Sequence, residues 1–234
     1  MTSARPPEPD DPTLPLFPLG TVLFPGLVMP LHIFEERYRS LVRHLMELPN
    51  GAAREFGVVA IQRGWEVADA AATMTLYEVG CTAEVRQITE HPDGKFDLVT
   101  VGRRRFQIAQ IVPAGSPYLQ AQVRYLPEPA DEDGDADRLG PRVLAAFRTY
   151  LGLVRTDSKD IAEQLPDDPL VLSHLVAATA TLTVADRQHL LAAPTTAARL
   201  RAELNLLHRE VQLLRHARAV PVSLSDLPVR PGPN

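Results

Sequence analysis

A chain of 234 residues with 45% hydrophobic and 23% charged residues has the makeup of an ordinary globular protein, long enough to bury a core in one or two domains. Its net charge of −5 excludes a bulk drive toward nucleic acid or anionic membrane, and the single Cys81 excludes an internal disulfide and fits a cytoplasmic, reducing setting. No run approaches the roughly 20 apolar residues of a spanning helix, and the first twelve residues hold no apolar signal core. Those residues, 1–12, are polar and proline-rich and are expected to be a disordered tail.

Leu14 to Phe17 reads as an apolar strand, followed by a passage punctuated by Pro18, Gly20, Pro25 and Gly26 and a second extended segment, Leu27 to Leu31. Pro30 cannot donate a backbone hydrogen bond and suits a sheet edge. Phe34, Tyr38, Leu41, Val42, Leu45 and Met46 recur three and four apart, which predicts one apolar helix face, with Glu35, Arg39 and Arg43 on the wet side. Phe56 to Gln62 reads as a buried strand, and the stretch from Trp65 to Thr75 as a loop with a short strand. From Leu76 to Val112 the pattern is antiparallel, with Val79, Cys81, Ala83 and Val85 on one face, a bulge near Arg86 or Gln87, a hairpin turn at His91-Pro92-Asp93-Gly94 and a break at Gly102. Leu119, Ala121, Val123 and Tyr125 line one side of a further strand.

Pro127 to Asp137 is acidic and proline-containing and reads as a solvated linker. Helices follow. Leu139, Val143, Leu144, Phe147, Tyr150, Leu151 and Val154 form one face; Asp160 to Leu165 adds a helical turn; Asp168 and Thr183 are N-caps of two shorter helices. The last helix, Ala197 to Ala219, carries Leu200, Leu204, Leu207, Val211 and Leu214 as a seam expected to pack on the chain's own helices, which favours a monomer or weak dimer. The expected organisation is therefore a β-rich domain over 13–126, a linker over 127–137, helices over 138–220 and a flexible tail over 221–234.

Leu14-Pro15-Leu16-Phe17-Pro18-Leu19, Phe24-Pro25-Gly26, Met29-Pro30-Leu31 and Glu35-Arg37-Tyr38 resemble the opening of the N-terminal substrate-binding domain of Lon proteases. Tyr77 to Ala83 and Val101 to Phe106 resemble two later blocks of that domain, in the same order, and the likeness spans about residues 13 to 220. The resemblance implies an α+β fold: a PUA-like β pseudo-barrel with one early helix, then a helical bundle with a long last helix. It also implies a non-enzymatic protein that binds unfolded or specific polypeptides as a recognition module, delivering clients to a protease or acting as a chaperone-like adaptor. A module binding RNA or a small molecule through the PUA-like fold is the alternative.

Catalytic motifs point the same way. There is no GxxxxGK(S/T) phosphate cradle, no GxSxG elbow and no HExxH helix. Ser158 and Lys159 are adjacent, but nothing around them matches a Ser-Lys peptidase segment, and Cys81 sits at an inward strand position suited to a core residue. The seven histidines show no metal-ligand spacing, and the Asp131–Asp137 acidic run lacks the glycine and glutamate of a calcium loop, so neither metal nor cofactor is expected. Arg103, Arg104 and Arg105 are the candidate basic contact, a short footprint for nucleic acid with Phe106 as its sole aromatic neighbour. Phe24, Met29, Trp65 and Tyr118 are the candidate polypeptide-binding residues, chosen as apolar or aromatic groups in irregular or edge-like places.

Overall fold

The computed structural model describes residues 11–49, 51–63, 75–113, 115–154 and 165–219. Trp65, Ser158, Lys159, the expected turn before Leu165 and both expected tails apart from Asp11 and Pro12 lie outside them. The described chain is α+β. Seven strands, β1 (Thr13–Leu19), β2 (Val28–Ile33), β3 (Glu55–Arg63), β4 (Thr75–Leu76), β5 (Val79–Glu90), β6 (Phe96–Val112) and β7 (Gln120–Tyr125), form one largely antiparallel sheet. Helix α1 (Glu36–Glu47) lies between β2 and β3, and α2 (Asp135–Val154), α3 (Pro169–Thr179), α4 (Val184–Leu191) and α5 (Thr196–Ala219) follow the sheet.

β1 closes the sheet on itself. Its first residues pair antiparallel with β7 (Leu14 opposite Ala121) and its last pair parallel with β3 (Leu16 opposite Gly57), so β1, β7, β6, β5 and β3 form a circuit. Pro15 and Pro18 lie within it without a break, each missing one donor that a strand changing partners can spare. Phe106 fills the middle with Leu14, Leu16, Val59, Ala121 and Val123. A Cβ on Gly80 would stand 2.4 Å from the Phe106 ring, so only glycine lets that ring sit against β5.

Gly102 was expected to break its strand, yet β6 runs unbroken for 17 residues. The first half of β6 pairs with β2 and the second half with β7, and Gly102 stands at the exchange. There the loop after Leu23 crosses it: Gly26 N donates to Gly102 O (2.8 Å), Gly102 N donates to Leu27 O (2.9 Å), and a Cβ would lie 2.1 Å from Phe24 O. The glycine admits a crossing backbone rather than ending a strand. The expected bulge is present, between Val85 and Gln87.

Tyr38, Leu41, Val42 and Leu45 bury one face of α1 against the sheet, with the Tyr38 ring stacked on Phe17 at 4.0 Å. Burial of each stabilises by about 1.5–3 kcal/mol. Phe34 and Met46, expected on this face, are 60% and 42% exposed. Phe34 precedes the helix, which starts at Glu36, and Met46 is turned about 100° from Leu45.

The C-terminal helices pack together through Val143, Phe147, Tyr150, Leu172, Val176 and the α5 seam, of which Leu200, Leu204, Leu207 and Val211 are buried and Leu214 half-buried. The seam packs on the chain's own α2 and α3, as expected. Asp168 caps α3 by accepting from Val171 N (2.8 Å), and Thr183 caps α4 by accepting from Asp186 N (3.1 Å). Helix α2 begins at Asp135, inside the stretch read as linker, and Asp131 Oδ2 accepts from Ala136 N at 2.6 Å. The helices also join the sheet: Ala177, Leu190 and Leu191 belong to its core, and Gln188 Nε2 donates to Val79 O (2.8 Å).

Candidate functional site

A groove of about 870 Å³ opens where two strands part company. β5 starts at Val79, paired with Gln107 of β6; the chain before it turns away at Tyr77-Glu78, so that β4 pairs with β3 instead. Beyond Ile108, whose N–H donates to Glu78 O (2.8 Å), β6 is paired only with β7 among the described residues. The edge of Ala109 to Val112 and the edge of β4 therefore both border the opening. Leu76, Tyr77, Ile108, Ile111, Leu119 and Tyr118 give an apolar lining, and Arg37 and Glu78 are its charged residues. Arg37 is held by Glu35 (2.7 Å) and lies over the Tyr38 ring, 4.6 Å from its centroid. Such a trough suits an extended apolar segment with a few polar groups.

Of the sequence-chosen polypeptide contacts among the described residues, Tyr118 alone lines this groove, its side chain largely buried in the wall. Phe24 is fully buried, within the loop that crosses Gly102. Met29 is half-buried on β2, its carbonyl accepting from Thr100 Oγ1 (2.8 Å). Trp65 is outside the described residues. Sequence reading missed Ile111 and Leu76. The alternation of β6 carries Ile111, but its exposure follows from β5 ending short, which no local pattern records.

The arginine tripeptide is spent internally. Arg103 pairs with Glu84 (2.8 Å), and Arg104 pairs with Glu55 (2.6 Å) and stacks on Tyr125, 3.8 Å from the ring centroid. Arg105 was a candidate contact, but only 2% of its side chain is exposed, because it turns inward to the C-terminal helices. Its Nη1 donates to Leu191 O (2.9 Å) and Ala193 O (2.6 Å), and its Nη2 to Pro127 O (3.1 Å). Its Nε lies 2.5 Å from Glu128 Oε1, close but poorly directed for a hydrogen bond. Glu128 also pairs with the fully buried Arg199 (3.2 Å), which donates in addition to Leu190 O and Ser173 Oγ. Burial pushes the Glu128 carboxyl up, but the neighbouring His174, Arg199 and Arg105 outweigh it and hold its pKa at about 2. His174 Nε2, at 3.7 Å, is an electrostatic neighbour rather than a hydrogen-bond donor. Burial pushes the pKa of His174 down, against the opposing pull of the Glu128 carboxylate. Glu128, read from sequence as part of a solvated run, is thus the hinge pin between sheet and helices. Cys81 is buried in the core, its thiol pushed up to about 12 by desolvation, which leaves it no nucleophile at neutral pH.

Among the described residues, one side-chain cluster has ligand chemistry. His32 Nδ1 and His91 Nε2 each lie 2.7 Å from a different oxygen of Asp97. Sequence spacing hid it, because His32 comes from β2 and the other two from either side of the β5–β6 hairpin.

A family model for the substrate-binding domain of the ATP-dependent protease La (Lon) matches residues 13–209. The chain belongs to this family. It is 31% identical over 220 residues to Lon protease 2 of Sorangium cellulosum, covering 92% of this chain, and 34% identical over 205 residues to Lon protease 2 of Herpetosiphon aurantiacus, covering 86%. The chain spans only 27% and 24% of those two relatives' lengths. The fold is that of a Lon N-terminal domain protein from Xanthomonas campestris (TM-score 0.57, 23% identity, 83% of this chain and 98% of that one). It is shared equally with the N-terminal domain of a Mycobacterium avium complex Lon protease (TM-score 0.63, 18% identity, 86% and 98%). In this Lon-type fold Tyr77 to Ala83 forms the parting of β4 from β5, and Val101 to Phe106 carries the Gly102 crossing and the buried Arg105. No helix of the described residues is long and apolar enough to cross a membrane.

Proposed function

We propose that this chain is a non-catalytic polypeptide-binding module that takes an extended, apolar stretch of an unfolded or specific client into the groove between β4 and the end of β6. The observation that carries this reading is the conjunction of an apolar trough with two bordering strand edges. A client chain would donate and accept backbone hydrogen bonds at the edge of Ala109 to Val112, giving affinity without demanding a sequence. Its apolar side chains would settle on Leu76, Ile108 and Ile111, while Arg37 and Glu78 would meet its polar ends. The family relationship supports a substrate-binding role, and the closed strand circuit with its packed helices supports the PUA-like barrel and helical-bundle description. On this reading the β-rich part over 13–126 does the gripping, the helices over 138–220 brace it, and the module works in the cytoplasm as a monomer or weak dimer, as an adaptor or chaperone-like partner of a protease. The internally paired arginines weigh against the RNA-binding alternative.

The test is photo-crosslinking from position 111 to denatured casein, with Ile111→Glu and Leu213→Glu compared in a retention assay. Both residues are exposed, so both variants should fold. Ile111→Glu should reduce client retention at least about tenfold, the effect of roughly 1.4 kcal/mol of lost apolar contact, while Leu213→Glu on α5 leaves it unchanged. Equal retention by both variants, or crosslinks mapping only to the helices, would refute the assignment.

A further inference from the structure

We propose that His32, His91 and Asp97, none of which lines the groove, form a binding site for a divalent transition-metal ion of the zinc class. The three candidate ligand atoms, His32 Nδ1, His91 Nε2 and an Asp97 carboxylate oxygen, all lie within 4.8 Å of one another. Ligands of a tetrahedral zinc ion at about 2.1 Å are roughly 3.4 Å apart, so small side-chain rotations convert the present arrangement into a coordination shell. A cation at the centre would replace the two ring protons now shared with the carboxylate.

The backbone fixes the set. His32 and Asp97 are direct cross-strand partners on β2 and β6, and Asp97 is in turn opposite Thr89 on β5. His91 is held at the mouth of the hairpin, its N–H donating to Lys95 O (2.9 Å) and its carbonyl accepting from Gly94 N (2.8 Å). Rigid strand positions keep ligands converged without a cost paid at binding. The local charge also fits: Asp97 supplies a carboxylate, and the nearby cations have acidic partners, Lys95 in Asp93 (2.7 Å) and Arg39 in Glu36 (3.1 Å), which Arg43 shares (2.9 Å). Two imidazoles and one carboxylate select zinc, cobalt or nickel over magnesium or calcium, which favour all-oxygen shells. The ligands' exposure, 55% for His32 and 39% for His91, leaves the remaining coordination positions to water or to an incoming group. The site is therefore open, in the manner of three-ligand sites rather than of closed structural ones.

The experiment uses the full, untagged chain after EDTA treatment and dialysis, titrated with zinc chloride by calorimetry and with cobalt(II) by visible absorption. One equivalent of zinc should bind, with a cobalt d–d band of nitrogen–oxygen coordination and a rise in melting temperature under zinc. His32→Ala, His91→Ala and Asp97→Asn should each weaken zinc binding at least about tenfold, with melting of the metal-free proteins confirming that these exposed changes leave the fold intact. His208→Ala, on α5, should bind as the unaltered chain does. The absence of zinc uptake, or uptake unchanged in the His32 and His91 variants, would overturn the proposal and leave the cluster an ion-paired surface contact only.

Discussion

Glu128→Ala tests the junction between sheet and helices. The substitution strips Arg105 and Arg199, 2% and 0% exposed, of the one carboxylate that forms an ion pair with them among the described residues. Removing one partner of a buried ion pair costs about 3–5 kcal/mol, since the remaining charge stays desolvated. Here both guanidinium groups keep carbonyl acceptors, Leu191 O and Ala193 O for one and Leu190 O for the other, which places the cost at the lower end. The carboxyl's fall from 4.5 to about 2 gives an independent figure of roughly 3 kcal/mol at neutral pH. With a quarter of the side chain open to water, that figure is an upper bound. A loss of about 2–3 kcal/mol corresponds to a melting temperature lowered by roughly 4–12 °C in a chain of this size. Because the folded-state pKa lies below the unfolded value, the stabilisation is complete above about pH 4.5 and disappears as pH falls toward 2. Urea unfolding followed by circular dichroism at pH 7 and pH 3 reads both quantities, and Glu128→Gln, which keeps the shape and one acceptor, should lose less. A difference below about 1 kcal/mol at pH 7, or one that does not shrink at pH 3, would refute the reasoning.

Glu203 on α5 is 1% exposed and neither carboxyl oxygen has a hydrogen-bond partner, so burial holds its pKa well above 4.5. Its contribution is fully present below about pH 4.5 and is lost as pH rises through the elevated folded value; Glu203→Met should stabilise the protein by about 1–3 kcal/mol at pH 8 and by less at pH 4.5, read from paired urea curves. Gly102→Ala places a methyl 2.1 Å from Phe24 O and should cost at least about 1–3 kcal/mol, with amide exchange quickening first at Gly26 and Gly102. Cys81 should resist Ellman's reagent in the native protein and react fully in 6 M guanidinium; fast native labelling would contradict its burial and its thiol pKa of about 12.

Much of the architecture was written locally. The three-and-four spacing of Tyr38, Leu41, Val42 and Leu45 determined α1, alternation determined β5 to β7, Asp168 and Thr183 determined two helix starts, and the spacing of Leu200 to Val211 determined which face of α5 is buried. The order of the proline- and glycine-marked blocks determined the family. These features depend on residues within a turn or two of one another, and periodicity records such relations faithfully. What brought distant residues together was decided only in three dimensions. The parallel seam of β1 with β3 closes the sheet, the pairing of β7 with β6 carries Glu128 to Arg105 while α5 brings Arg199, and the divergence of β4 from β5 exposes Ile111. The pairing of β2 with β6 sets His32 beside Asp97, 65 residues away. Arg105 shows why: a charge next to two exposed arginines reads as surface, and the carbonyls of Leu191 and Ala193, at the end of α4, with that of Pro127, make its burial possible by supplying acceptors. Solvent exposure is a property of the assembled neighbours, and one-dimensional spacing does not contain it.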